Sequence, residues 1–93
     1  MSTYKARQVR KMLRSKLKCT IDEKPHHTYY LVFDGDRLVG ETYMSRNNQD
    51  IDDYLQDRMA KQLGVPNNLF RSLVDCPANR SDYMAHIDSD TMQ

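Results

Sequence analysis

No stretch of this 93-residue chain approaches the roughly twenty consecutive apolar residues that a membrane helix requires. Mean hydropathy is −0.83, so a core has to be assembled from well-placed single side chains and not from long apolar runs. The basic N-terminus is followed by no apolar block, which argues against a secretory signal and for a cytoplasmic protein with no membrane partner. Cysteine is scarce: Cys19 and Cys76 match no zinc spacing, and two reduced, structural thiols are expected. A Cys19/His26/His27/Cys76 zinc set would lack the usual close-spaced ligand pairs, so no metal is implied. Phosphate-binding loops, dinucleotide glycine patterns, zincin helices and nucleophile elbows are all missing, which removes the common cofactor enzymes and implies no cofactor. There are no repeats and no low-complexity segment.

The most informative absence is negative charge at the start. Residues 1–18 hold no acid and seven cations: Lys5, Arg7, Arg10, Lys11, Arg14, Lys16 and Lys18. The rest of the chain carries the other seven cations against all thirteen acids. Such a division suits one surface made for a polyanion and another that repels it.

The length fits a single domain, expected over residues 1–87 with a frayed acidic tail over 88–93. A first helix is predicted from about residue 3 to 17, capped by Ser2 or Thr3. At about 100° per residue, Ala6, Val9, Leu13 and Leu17 share one arc, and Arg7, Arg10, Lys11, Arg14 and Lys18 lie beside and behind it. A short strand near 18–22 follows, broken by Pro25. The segment HTYYLVFDGDRLVGETYMS reads as a β-hairpin turning at Asp34-Gly35-Asp36. Tyr29, Leu31 and Phe33 alternate with Thr28, Tyr30 and Val32; the first set is the more apolar and is the expected core face, with Leu38, Thr42 and Met44 pointing the same way. A second helix, capped by Asn47 or Asn48, should run to Leu63 with Ile51, Leu55, Met59 and Leu63 as its stripe, Tyr54 beside it, and Gly64 as its stop. A third should carry Leu69, Phe70, Leu73 and Val74 and end at Pro77, and SDYMAHI can add one turn capped by Ser81. The expected class is α+β: a three-stranded antiparallel sheet with helices on one face, in the order α-β-β-β-α-α.

The candidate chemistry sits in KPHHTYY, residues 24–30, where His26 and His27 open a strand. A neutral-pKa imidazole can take a proton from a ribose 2′-OH or deliver one to a leaving oxygen. A cation must then steady the phosphate, and Lys24, Arg7, Arg10 and Arg14 are the candidates, with Thr28 as a hydrogen-bonding anchor. No residue stands out as the second titrating group. Tyr29, Tyr30, Tyr43, Tyr54 and Tyr83 are available for base stacking, although Tyr29 is expected in the core.

That segment, the element order, and DRMAKQLGVPNNLFRSLVDC at 57–76 resemble the HicA-like toxins, small proteins with a fold like the double-stranded RNA-binding domain. The likeness spans residues 5–76 and rests on element order and one histidine more than on an invariant motif. It implies RNA as ligand, a partner antitoxin, and metal-independent endoribonuclease activity with the histidine as catalytic residue. On this chain that residue is His26, which has Tyr29 three places on, or His27, which has Tyr30. Expected strand parity favours His26, placing it on the open face with Thr28 and Tyr30. Lys24-Pro25 stands where the family has Gly-Ser, so Pro25 offers a phosphate no N–H donor. Two other readings stay open: nucleic-acid binding without catalysis, and a phage-type or accessory interaction module whose basic helix meets an acidic protein.

Overall fold

The computed structural model describes residues 3–47, 49–75 and 78–91, with the side chains of 89–91 excepted. Helix α1 (Ala6–Lys11) runs on into a π-helical turn (Met12–Lys16). Strands β1 (Thr20–Glu23), β2 (His27–Asp34) and β3 (Arg37–Ser45) follow, then helices α2 (Asp53–Leu63), α3 (Asn67–Asp75) and α4 (Arg80–Thr91). The strands form one antiparallel sheet in the order β1-β2-β3. The α+β class and the placement of the strands between helices are as expected. No helix among the described residues is long and apolar enough to cross a membrane.

The stripe of α1 is buried as its spacing requires: Ala6, Val9, Leu13 and Leu17 join one core with Tyr30, Val32, Met44, Met59, Leu63, Phe70, Leu73 and Tyr83. Each fully buried aliphatic or aromatic side chain contributes roughly 1.5–3 kcal/mol. Helix α2 starts at Asp52, whose Oδ1 accepts from Leu55 N at 3.0 Å. This replaces Asn47 as the cap; Asn48 lies outside the described residues. Gly64 ends α2 with φ +84°, the left-handed conformation glycine adopts without strain.

Helix α4 is longer than one turn and continues through Thr91, so the backbone of 88–91, expected to fray, is helical. Its cap is Asn79 and not Ser81: Asn79 Oδ1 accepts from Ser81 N at 3.0 Å, and Asp82 Oδ2 accepts from Asn79 N at 2.9 Å. Arg80 ties α4 to both neighbours, donating to the Leu17 and Phe33 carbonyls. Cys19 is a free, half-buried thiol, pushed up to about 12 by desolvation and partly relieved by Arg80. Cys76 and Pro77 lie outside the described residues.

The expected core face of the hairpin is inverted. Tyr30 and Val32 are buried, opposite Thr42 and Gly40, whereas Tyr29, Leu31 and Phe33 line the open face and are only half-buried. The physical reason lies at Gly40. A Cβ there would collide with the Tyr83 hydroxyl and crowd the Leu63 carbonyl oxygen, so α4 fills the space that a β3 side chain would otherwise occupy. Tyr83 then donates to Leu63 O at 2.7 Å inside the core. Thr42 and Met44 face inward as expected, but Leu38 does not and is 47% exposed. A bulge causes the difference: Val32 pairs with Gly40 and Phe33 with Leu38, so Val39 is the extra residue and the alternation slips.

Candidate nucleic-acid interface

Strand β2 begins at His27, which pairs with Ser45 at the end of β3. Successive strand residues face opposite ways, so His27 shares the open face with Tyr29 while Thr28 turns toward the helices. The parity expected for the two histidines is therefore reversed. His26 is exposed in the bend before the strand and His27 is the histidine on the sheet. Its imidazole meets the Tyr43 ring edge-on at 5.0 Å and the Tyr29 ring at 6.5 Å, and the two tyrosine rings lie 5.4 Å apart.

Helix α2 packs along β3 and adds a cation. The Arg58 guanidinium lies over the Tyr43 ring, 4.5 Å from its centroid, and Arg58 Nη2 donates to Tyr43 O at 3.3 Å. Arg58 Nε is buried with no acceptor, and the side chain forms no ion pair among the described residues. Its half-buried charge is thus not neutralised by any described carboxylate. His27, Ser45, Asn47, Gln49 and Arg58 provide the polar lining of one cleft of about 110 Å³, with Met44 and Met59 among its apolar walls.

The basic helix reaches this cleft through Arg10. Its Nη2 donates to Ser45 O at 3.2 Å and to Asn47 O at 2.6 Å, fixing the segment that leaves β3. It also meets the Tyr30 hydroxyl, whose pKa burial raises and Arg10 lowers. Arg10 is therefore a half-buried anchor as well as part of the basic surface. Arg7, Lys11 and Arg14 are exposed, and with Arg10 and Ser15 they line a shallow groove of about 510 Å³ with no acid in its lining among the described residues. Lys16 turns away from it and donates to Leu73 O and Ala78 O, at 2.7 and 3.0 Å.

The other sequence candidates are dispersed. Lys18, at φ +52°, follows the π-helical turn and Leu17, which Arg80 bridges to Phe33 at the end of β2 roughly 20 Å from His27. Lys24 pairs with Asp22 at 3.3 Å on the exposed β1–β2 hairpin. Thr28 sits opposite Met44 on the helix-covered side, so it cannot share a phosphate with His27. Tyr30 and Tyr83 are core, Tyr54 is 74% exposed with no ring contact among the described residues, and Tyr29 is on the open face instead of in the core.

No family model, curated protein or solved structure matches the chain.

Sequence reading missed Arg58, Tyr43 and Gln49 as partners of a histidine. The available signal was periodicity: Arg58 precedes the buried Met59 on α2, on the flank of the stripe that turns toward the hairpin. Only the packing of α2 against β3 turns that flank into a wall of the cleft.

Proposed function

We propose that the protein binds RNA along α1 and cleaves it at His27 by metal-independent transesterification, as a HicA-like endoribonuclease would. The observation that carries this reading is that His27 and the unneutralised Arg58 line one cleft, next to a groove of exposed cations. Arg7, Lys11 and Arg14 hold successive phosphates, a contact that positions the strand but reads no sequence. Arg58 receives the scissile phosphate and stabilises the charge that grows on its oxygens. His27 takes the proton from the neighbouring 2′-OH, whose oxygen attacks phosphorus. The bond from phosphorus to the 5′-oxygen breaks, and that oxygen takes a proton from the imidazolium or from water. The products are a 2′,3′-cyclic phosphate and a 5′-hydroxyl end.

The test is incubation of the purified protein with single-stranded RNA in EDTA, followed by identification of the new ends. Cyclic-phosphate ends support the reading; intact RNA contradicts it. RNA binding without cleavage would leave the non-catalytic reading, for which the groove on α1 suffices.

A further inference from the structure

A second hollow adjoins the cleft and shares Tyr43 with it. Tyr29, Glu41, Tyr43 and Gln62 line this space of about 330 Å³ on the open side of the sheet. Glu41 is exposed and makes no ion pair or hydrogen bond among the described residues. Gln62 accepts from Thr42 Oγ1 at 2.7 Å, which fixes its carbonyl and leaves its amide N–H groups without a partner among the described residues. A carboxylate at this rim repels phosphate, so the hollow suits the uncharged part of a nucleotide. Tyrosine rings offer a face on which any base can stack. The edge groups then discriminate: the Watson–Crick edge of guanine carries two adjacent donors, N1–H and N2–H, beside the acceptor O6. A carboxylate accepts from the first two and an amide N–H donates to the third. Adenine and cytosine each present an unprotonated ring nitrogen where guanine has N1–H, and an amino donor where it has O6.

Resting on the RNA reading above, we infer that the hollow is a base-specificity site that takes a guanine flanking the cleaved phosphate in single-stranded RNA. A base stacked there places its own ribose and phosphate toward Tyr43 and the His27/Arg58 cleft. A base already paired in a duplex has its Watson–Crick edge occupied and is rejected.

The test is equilibrium binding of uncleavable 2′-O-methyl uridine oligomers that carry one guanine, adenine, cytosine or inosine. The guanine oligomer should bind about tenfold tighter than the adenine and cytosine oligomers, the scale of one good two-point base contact. Inosine, which lacks the 2-amino group, should fall between. Glu41→Gln should bring the guanine oligomer down to the level of the others, and Tyr29→Ala should weaken binding of all four. Equal binding of guanine, adenine and cytosine, or a guanine preference that survives Glu41→Gln, overturns the inference while leaving RNA binding in place. Failure of every oligomer to bind overturns both.

Discussion

Arg58 holds its guanidinium 4.5 Å from the centre of the Tyr43 ring, on the strand that pairs with His27. The ring shields the charge from water on one side, which strengthens its field on anything entering the cleft. Arg58→Ala should lower RNA cleavage by roughly 10²–10³-fold, as loss of one transition-state donor does. Arg58→Lys should recover only part of this, because a point charge cannot reproduce the planar fork. The alanine variant also loses the Nη2 donor to Tyr43 O and the contact with its ring, so it should be destabilised by about 1–2 kcal/mol but remain folded at the assay temperature. Initial cleavage rates and thermal melts together check this.

The groove on α1 can be tested without touching the cleft. Arg7, Lys11 and Arg14 are exposed, whereas Arg10 also holds the Ser45 and Asn47 carbonyls. Replacing the first three by Glu should abolish RNA binding and leave the circular dichroism spectrum unchanged. In the parent, log affinity should fall with log salt with a slope of about −0.7 for each single-strand phosphate contacted. Including Arg10 in the set should also destabilise the fold, which a melt detects.

The packing at Gly40 makes a prediction about the fold alone. Gly40→Ala pushes a methyl group into the Tyr83 hydroxyl and toward the Leu63 backbone, and should destabilise by roughly 1–3 kcal/mol. Tyr83→Phe removes the hydroxyl that donates to Leu63 O and should destabilise by about 1–2 kcal/mol. Because both changes act on one contact, the double variant should be more stable than the sum of the singles predicts. Denaturant unfolding of the four proteins measures the coupling.

Cys19 gives a pH dependence. Burial raises its thiol from 9.0 to about 12, so the unfolded chain ionises first as pH rises. The contribution of this group to stability is therefore whole below pH 9 and is lost as pH climbs toward 12. Cys19→Ala should flatten that part of the alkaline stability profile. In a Cys76→Ser background, native Cys19 should alkylate at pH 8 roughly 10²–10³-fold more slowly than in urea, because the thiolate is the reactive form.

Much of the architecture is legible in residue spacing. The stripe of Ala6, Val9, Leu13 and Leu17, the Asp-Gly-Asp turn and the Gly64 stop each impose one local geometry. The face of the hairpin is not legible, because both faces of β2 are rich in apolar and aromatic side chains. What selects Tyr30 and Val32 for the core is a glycine on the next strand and a tyrosine some forty residues beyond it in sequence, which no local pattern links. The histidine assignment follows from that choice: inverting the faces moves the open-side position from His26 to His27. Arg58 stayed hidden for the same reason, since its role depends on how α2 lies against β3.

The most direct test of the central claim compares His27→Ala with His26→Ala in cleavage of one single-stranded RNA, with binding measured alongside. His27 lines the cleft with Arg58, while His26 lies in the exposed bend outside it. The account predicts that His27→Ala cuts roughly 10²–10⁴-fold more slowly, the usual share of a general acid or base, and still binds RNA. His26→Ala should cut like the parent. Equal cleavage by the parent and His27→Ala, or a loss confined to His26→Ala, would contradict it.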